Sequence, residues 1–117
     1  IFVRTGTSWT QQIKLLAADG AANDYFGGSV AISGDFALVG AYSDDFGAAY
    51  EQGSAYVFQR SSTDWQQKVK LTASDGAAYD KFGSSVALSS DYSLIGAFSD
   101  TVGTNFRQGS SYLFQKK

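Results

Sequence analysis

The segment from Asn23 to Tyr42 reads NDYFGGSVAISGDFALVGAY, and 56 residues further on the segment from Tyr79 to Phe98 reads YDKFGSSVALSSDYSLIGAF. The same offset carries Trp9 onto Trp65 and Asp19-Gly20-Ala21-Ala22 onto Asp75-Gly76-Ala77-Ala78. It also carries Gly53-Ser54 onto Gly109-Ser110, and Tyr56 and Phe58 onto Tyr112 and Phe114, without a gap. No other feature constrains the fold as strongly. A fixed period of this length means stacked units, because one small supersecondary unit cannot bury its own apolar face.

Each unit contains four short strand candidates. Gly27–Ser33 turns at Gly34-Asp35 into Phe36–Ser43, and a polar loop then leads to Gly53–Arg60, which turns into Trp65–Ala73. The runs are rich in Val, Ile, Tyr and Phe and bounded by Gly, Asp and Ser, as strands require. No segment keeps a helical period across three turns. The first strand alternates Ser29, Ala31 and Ser33 with Val30 and Ile32, which suits a crowded inner position. The second and third are apolar or small on both faces, the pattern of covered strands. The fourth carries Gln66, Lys68 and Lys70 on one face, which suits a solvent-facing edge. The expected fold is therefore all-β: two tandem four-stranded antiparallel sheets, each ordered from a buried inner strand to a charged outer one, as in a propeller blade. The expected buried set is Val30, Ile32, Leu38, Val39, Tyr56, Phe58, Val86, Leu88, Leu94, Ile95, Tyr112 and Phe114.

Composition narrows the functions. Of 117 residues 44% are hydrophobic and 15% aromatic, enough for a packed core. The net charge of −2 argues against nucleic acid, whose binders need a basic face. No apolar run approaches the length of a membrane-spanning helix. The chain has no Cys and no His, so it has no disulfide or thiolate nucleophile and lacks the commonest general base. Ser–His–Asp and Cys–His catalysis are excluded within one chain. The absence of Met reads as a processed product, an excised piece or a chain without its start.

The recurring Phe-Gly, Ser-Val-Ala, Gly-Ala and Gly-Ser-x-Tyr elements resemble the FG-GAP repeats of β-propellers. These include bacterial extracellular proteins and, more distantly, the integrin α-subunit head. The resemblance spans essentially the whole chain. It implies blades, a location outside the cell or on its surface, and a binding or structural role. Two departures stand out. The third letter of the motif is Tyr42 in one copy and Phe98 in the other. The integrin-type calcium loop joins the first two strands, which here meet through Ser33-Gly34-Asp35 and Ser89-Ser90-Asp91. Such a turn is too short to wrap a cation that takes six to eight oxygens.

Candidate site residues lie in the loops. Asp19 and Asp24, with Asp75 and Asp80, flank the stretches that enter each inner strand. Asp44, Asp45 and Asp100 follow the second strands. Turn chemistry explains these positions, since Asp bonds nearby backbone amides. Calcium held by the same carboxylates and backbone carbonyls is the sharper alternative. A glycosidase-like carboxylate pair is disfavoured, because Asp45 and Glu51 become Thr101 and Arg107 in the second copy. Tyr25, Tyr50, Tyr79 and Phe106 are aromatic loop residues able to stack on a sugar. Trp9 and Trp65 read as closing the space between blades, with stacking on a sugar ring as the lesser alternative.

The ends suggest assembly. Ile1–Arg4 aligns with Val57–Arg60, so residues 1–18 read as an outer-strand segment completing a neighbouring blade. Residues 19–73 form a first blade, and residues 74–117 a second blade lacking its outer strand. Other copies, or a longer chain, would complete the propeller. The reading is a non-enzymatic extracellular module for binding or head-to-tail self-assembly, without a cofactor. The alternative is a lectin-like propeller with a glycan ligand, and a protein ligand is also compatible.

Overall fold

Alternating β-branched and small residues, cut by Gly, Ser and Asp turns, produce nine short strands. The computed structural model describes residues 1–116, and among them there is no helix. Strands β1 (Phe2–Thr5) and β2 (Ser8–Gln11) form a hairpin. Strands β3 (Phe26–Ser33), β4 (Phe36–Ala41), β5 (Ser54–Ser61) and β6 (Asp64–Leu71) form a four-stranded sheet in chain order. Strands β7 (Phe82–Leu88), β8 (Tyr92–Ala97) and β9 (Ser110–Gln115) form a three-stranded sheet. Every pairing between these strands is antiparallel.

The repeat in sequence is a repeat in register. Val30 pairs with Val39 as Val86 pairs with Ile95. Arg4 pairs with Trp9 as Arg60 pairs with Trp65, so the β1–β2 hairpin reproduces the outer half of the β5–β6 pair. Each inner strand is interrupted just after its Phe, between Phe26 and Ser29 and between Phe82 and Ser85. There Gly27 (φ 93°) and Gly83 (φ 90°) take backbone angles that side chains resist.

The two larger sheets stack face to face. Leu38, Ala55 and Ala73 of the first meet Phe82, Ile95 and Ala97 of the second, with Val57, Leu71, Val86, Leu88, Tyr112 and Phe114 around them. The backbones come very close: a Cβ on Gly40 would lie 2.0 Å from the Gly83 carbonyl oxygen. Ser29 Oγ donates to that same carbonyl at 2.7 Å. The opposite face of the first sheet holds a second cluster, Ala37, Val39, Ala41, Tyr56, Phe58 and Trp65. Ile1, Ile13, Leu15 and Ala17 pack on it, one repeat before Val57, Val69, Leu71 and Ala73. The radius of gyration is 14.9 Å and the extents 53 × 29 × 26 Å. A compact chain of this length would have about 13 Å, so the sheets stand in a row.

Three expected core residues are not buried. Val30 is 67% exposed, Ile32 59% and Leu94 45%. Val86, Leu88, Tyr112 and Phe114 are half-buried, whereas Leu38, Val39, Tyr56, Phe58 and Ile95 are buried. Val30 and Ile32 share the front face of the first sheet, and Leu94 lies on the back face of the second. No complete sheet covers either face among the described residues. The same repeat position is therefore core in one copy and surface in the other: Leu38 is 0% exposed. Lys70, assigned from sequence to a solvent-facing edge, instead folds onto acidic loops, as described below.

This asymmetry is testable. Leu38→Ala should cost about 2–5 kcal/mol in chemical denaturation of the monomeric chain, as a buried truncation does. Leu94→Ala should cost less than about 1 kcal/mol under the same conditions. Gly40→Ala should lower the melting temperature far more than Gly96→Ala. The added methyl at Gly40 meets backbone, whereas at Gly96 its closest neighbour is the movable Ser85 Oγ.

Candidate functional site

All long connections leave the sheets at one end: residues 18–25, 42–53, 72–81 and 98–109. The opposite end has only tight turns. Every candidate residue named from sequence therefore lies on one rim. Backbone strain is repeated there. Asn23, Tyr25 and Glu51 have φ of 68°, 56° and 52°, and their counterparts Tyr79, Lys81 and Arg107 have 70°, 63° and 53°. Bulky side chains rarely hold such angles, and surrounding structure must over-determine them. Here the loops lock together: the Tyr79 amide donates to Tyr50 O at 2.7 Å and the Phe82 amide to Gln52 O at 2.9 Å.

The carboxylates divide by role. Asp24 accepts from the Ala21 amide and Asp80 from the Ala77 amide, both at 2.7 Å, which is turn chemistry in both copies. Asp45 accepts from the Glu51 amide at 2.8 Å, and Thr101 Oγ1 accepts from the Arg107 amide at 3.2 Å. The Asp-to-Thr change thus keeps the loop closed. Glu51 pairs with Lys81 at 2.8 Å across the junction of the two sheets.

Asp19 and Asp44 converge on Lys70, whose Nζ lies 2.6 Å and 2.7 Å from their Oδ2 atoms. The ammonium stands 5.3 Å from the Phe46 and Tyr56 ring centroids, over both faces. Tyr56 Oη donates to Asp19 at 2.8 Å and Ser54 Oγ to Asp44 at 2.6 Å. The second copy repeats this arrangement up to the cation. Tyr112 Oη donates to Asp75 at 2.7 Å, and Ser110 Oγ donates to Asp100. Among the described residues no ammonium or guanidinium pairs with Asp75 or Asp100. The lysine position lies on an outer strand, and β9 is the edge of its sheet. Among the described residues no group of three or more metal-ligating side chains converges.

The electrostatics differ accordingly. Burial opposes the charge on Lys70, but the hydrogen bonds it donates to Asp19 and Asp44 outweigh it and raise its pKa. Lys70 and Tyr56 hold the Asp19 carboxyl below its usual 3.8. In the second copy burial, reinforced by the Asp75 and Asp100 charges, pushes the Tyr112 hydroxyl up to about 12. Burial, together with Asp100 and Asp75, also raises the Asp80 carboxyl.

The aromatic candidates are all exposed but are not all brought together. Tyr50 and Tyr79 line one shallow hollow with Ser43, Asp45 and Glu51. Tyr25 stacks on Tyr42, with centroids 5.4 Å apart and planes 7° from parallel. Phe106 stands apart under the Arg107 guanidinium at 4.9 Å. Trp65 is buried, and its indole N–H donates to Gln12 Oε1 at 2.7 Å, while Trp9 is exposed. The residue missed from sequence is Lys70. Its signal was present: Lys14 and Lys70 recur at the repeat offset.

Acid should expose the first cluster. Asp19 and Glu51 are held below their usual 3.8 and 4.5, Asp19 first by Lys70 and Glu51 first by Lys81. A depressed carboxyl contributes stability that is full above its unfolded value and is lost as pH falls through the lower folded value. The raised Asp80 acts oppositely, because its protonation on lowering pH favours the fold. Denaturation midpoints should therefore fall below about pH 4.5, and Asp19→Asn should flatten that acid limb. An acid limb identical in wild type and variant would contradict the assignment.

The repeat organisation agrees with comparison to known families. The FG-GAP repeat model matches residues 9–58 and again residues 65–114. A search of curated proteins finds no significant match. The two matches together span most of the described strands, and the chain belongs to the FG-GAP repeat family.

Proposed function

We propose that the chain is a non-enzymatic propeller module that acts outside the cell or at its surface, and that it works by stacking on copies of itself. FG-GAP repeats are typical of extracellular and surface proteins and are β-propeller-type units. The observation that carries the proposal is the pair of unused faces. Val30 and Ile32, with Ile1, Phe2, Leu15 and Phe26, line an apolar groove on the front of the first sheet. Leu94 and Leu113 stand exposed on the back of the second. One repeat away, the same positions already pack together: Val86 and Leu88 of a front face meet Leu38 and Val57 of a back face. The internal junction is thus the template for a junction between copies. Such a contact is head-to-tail, so it closes a ring or propagates as a filament. With two blades per chain, a trimer would give six and a tetramer eight, both within the closing range.

Light scattering and native mass spectrometry test this at micromolar concentration. The expected species are multiples of the 12.5 kDa chain, reduced to monomer by Ile32→Asp or Leu113→Asp. A folded wild-type monomer of that mass would overturn the proposal. A second reading, sugar binding, draws on the hollow where exposed Tyr50 and Tyr79 stand beside Asp45 and Glu51. Aromatic faces beside acceptor carboxylates suit a pyranose ring. A glycan array with wild type and Tyr79→Ala checks it: binding lost in the variant supports it, and no binder at millimolar sensitivity removes it.

A further inference from the structure

The Asp75–Asp100 cluster repeats the acidic cluster that holds Lys70, and among the described residues no ammonium pairs with it. In the first copy the same constellation, Asp19, Asp44, Ser54 and Tyr56, closes on the Lys70 ammonium at 2.6–2.7 Å. Lys70 reaches it from the outer strand, opposite Tyr56 in the β5–β6 register. In the second copy Asp75, Asp100, Ser110 and Tyr112 keep their mutual hydrogen bonds, and β9 presents an unpaired edge at Tyr112. An unpaired edge is a template for another strand. One repeat before Lys70, on the outer-strand segment that runs on from β2, stands Lys14, exposed and without an ion pair among the described residues. Its neighbours Ile13 and Leu15 correspond to Val69 and Leu71, which pair with Val57 and Ala55. In the described chain residues 12–17 belong to no strand.

We propose that the Asp75–Asp100 pocket receives Lys14 of a second copy, delivered when residues 9–17 of that copy pair along β9. The inference rests on the stacking proposed above and names the contact that sets its register. At the internal junction Lys81 also meets Glu51; the corresponding residues between copies are Tyr25 and Arg107, so that ion pair is not repeated there. Seating has one cost. The end of β9, Leu113-Phe114-Gln115-Lys116, falls where Ile1-Phe2-Val3-Arg4 lies in the copy that supplies Lys14. Strand β1 must leave that edge; all four of its residues are exposed, but Ile1 gives up its packing on the first sheet and its main-chain bonds to Gln12 and Ile13.

Charge exchange on the full chain tests the proposal. Lys14 and Asp75 are both exposed, although Asp75→Lys gives up the bond from Tyr112 Oη, and circular dichroism checks that each variant folds. Association constants from sedimentation equilibrium should weaken about tenfold for Lys14→Asp and for Asp75→Lys, and the double variant should recover most of the loss. Wild-type association should also weaken with salt. If wild type does not associate, the stacking reading falls and this contact with it. If wild type associates and Lys14→Asp does not weaken it, the receptor assignment is overturned while stacking stands. If both single variants weaken association without recovery in the double, the pocket takes some other cation and the proposed pairing is overturned.

Discussion

The contact on which the rest depends is backbone against backbone at the junction of the two larger sheets. Gly40 lies under the Gly83 carbonyl, Ser29 ties to the same oxygen, and Gly53 bridges to Phe82. The close approach brings Leu38 and Ala55 into the reach of Phe82 and Ile95 and excludes water between them. It also brings the rim loops together. Tyr50 and Gln52 meet Tyr79 and Phe82 through main-chain bonds. A side chain at position 40 would run into the Gly83 carbonyl, so the sheets could not approach this closely.

The same geometry leaves two faces open. A stacked unit always has a front and a back, and in a row of sheets the terminal faces have no neighbour. The hairpin β1–β2 and residues 13–17 cover part of the front with Ile1, Ile13, Leu15 and Ala17, copying the residues that cover the corresponding internal face. They supply the outer half of a preceding blade and not its second strand, so Val30 and Ile32 stay exposed. The electrostatic counterpart is the Asp75–Asp100 cluster, which is built like its partner one repeat earlier and, among the described residues, has no outer strand beside it. Apolar and ionic features thus identify the same two surfaces.

Much of this was legible in the residues. The repeat offset, the strand boundaries of the first blade to within one or two positions and the antiparallel order follow from spacing and residue type. The site was less legible. Asp24 and Asp80 behave as turn residues, as their Asp-rich loops suggest. The pairing of Asp19 with Asp44 through Lys70 was not visible, because it joins three loops and strands 25 to 51 positions apart. Lys70 lies on the polar face of an amphipathic strand, and periodicity alone assigns such a lysine to solvent.

By itself the sequence determined what repeats: strand type and order follow from local alternation and turn chemistry, which each copy carries in full. Only the tertiary structure decided which copy of each residue is buried. Leu38 and Leu94 are the same residue in the same strand, yet one is fully enclosed and the other nearly half exposed. Burial depends on the neighbouring sheet, and a repeat does not encode its own neighbour. The same holds for charge. Asp44 and Asp100 are identical in local setting, and the cation that completes the first comes from an outer strand that has no counterpart among the described residues of the second sheet.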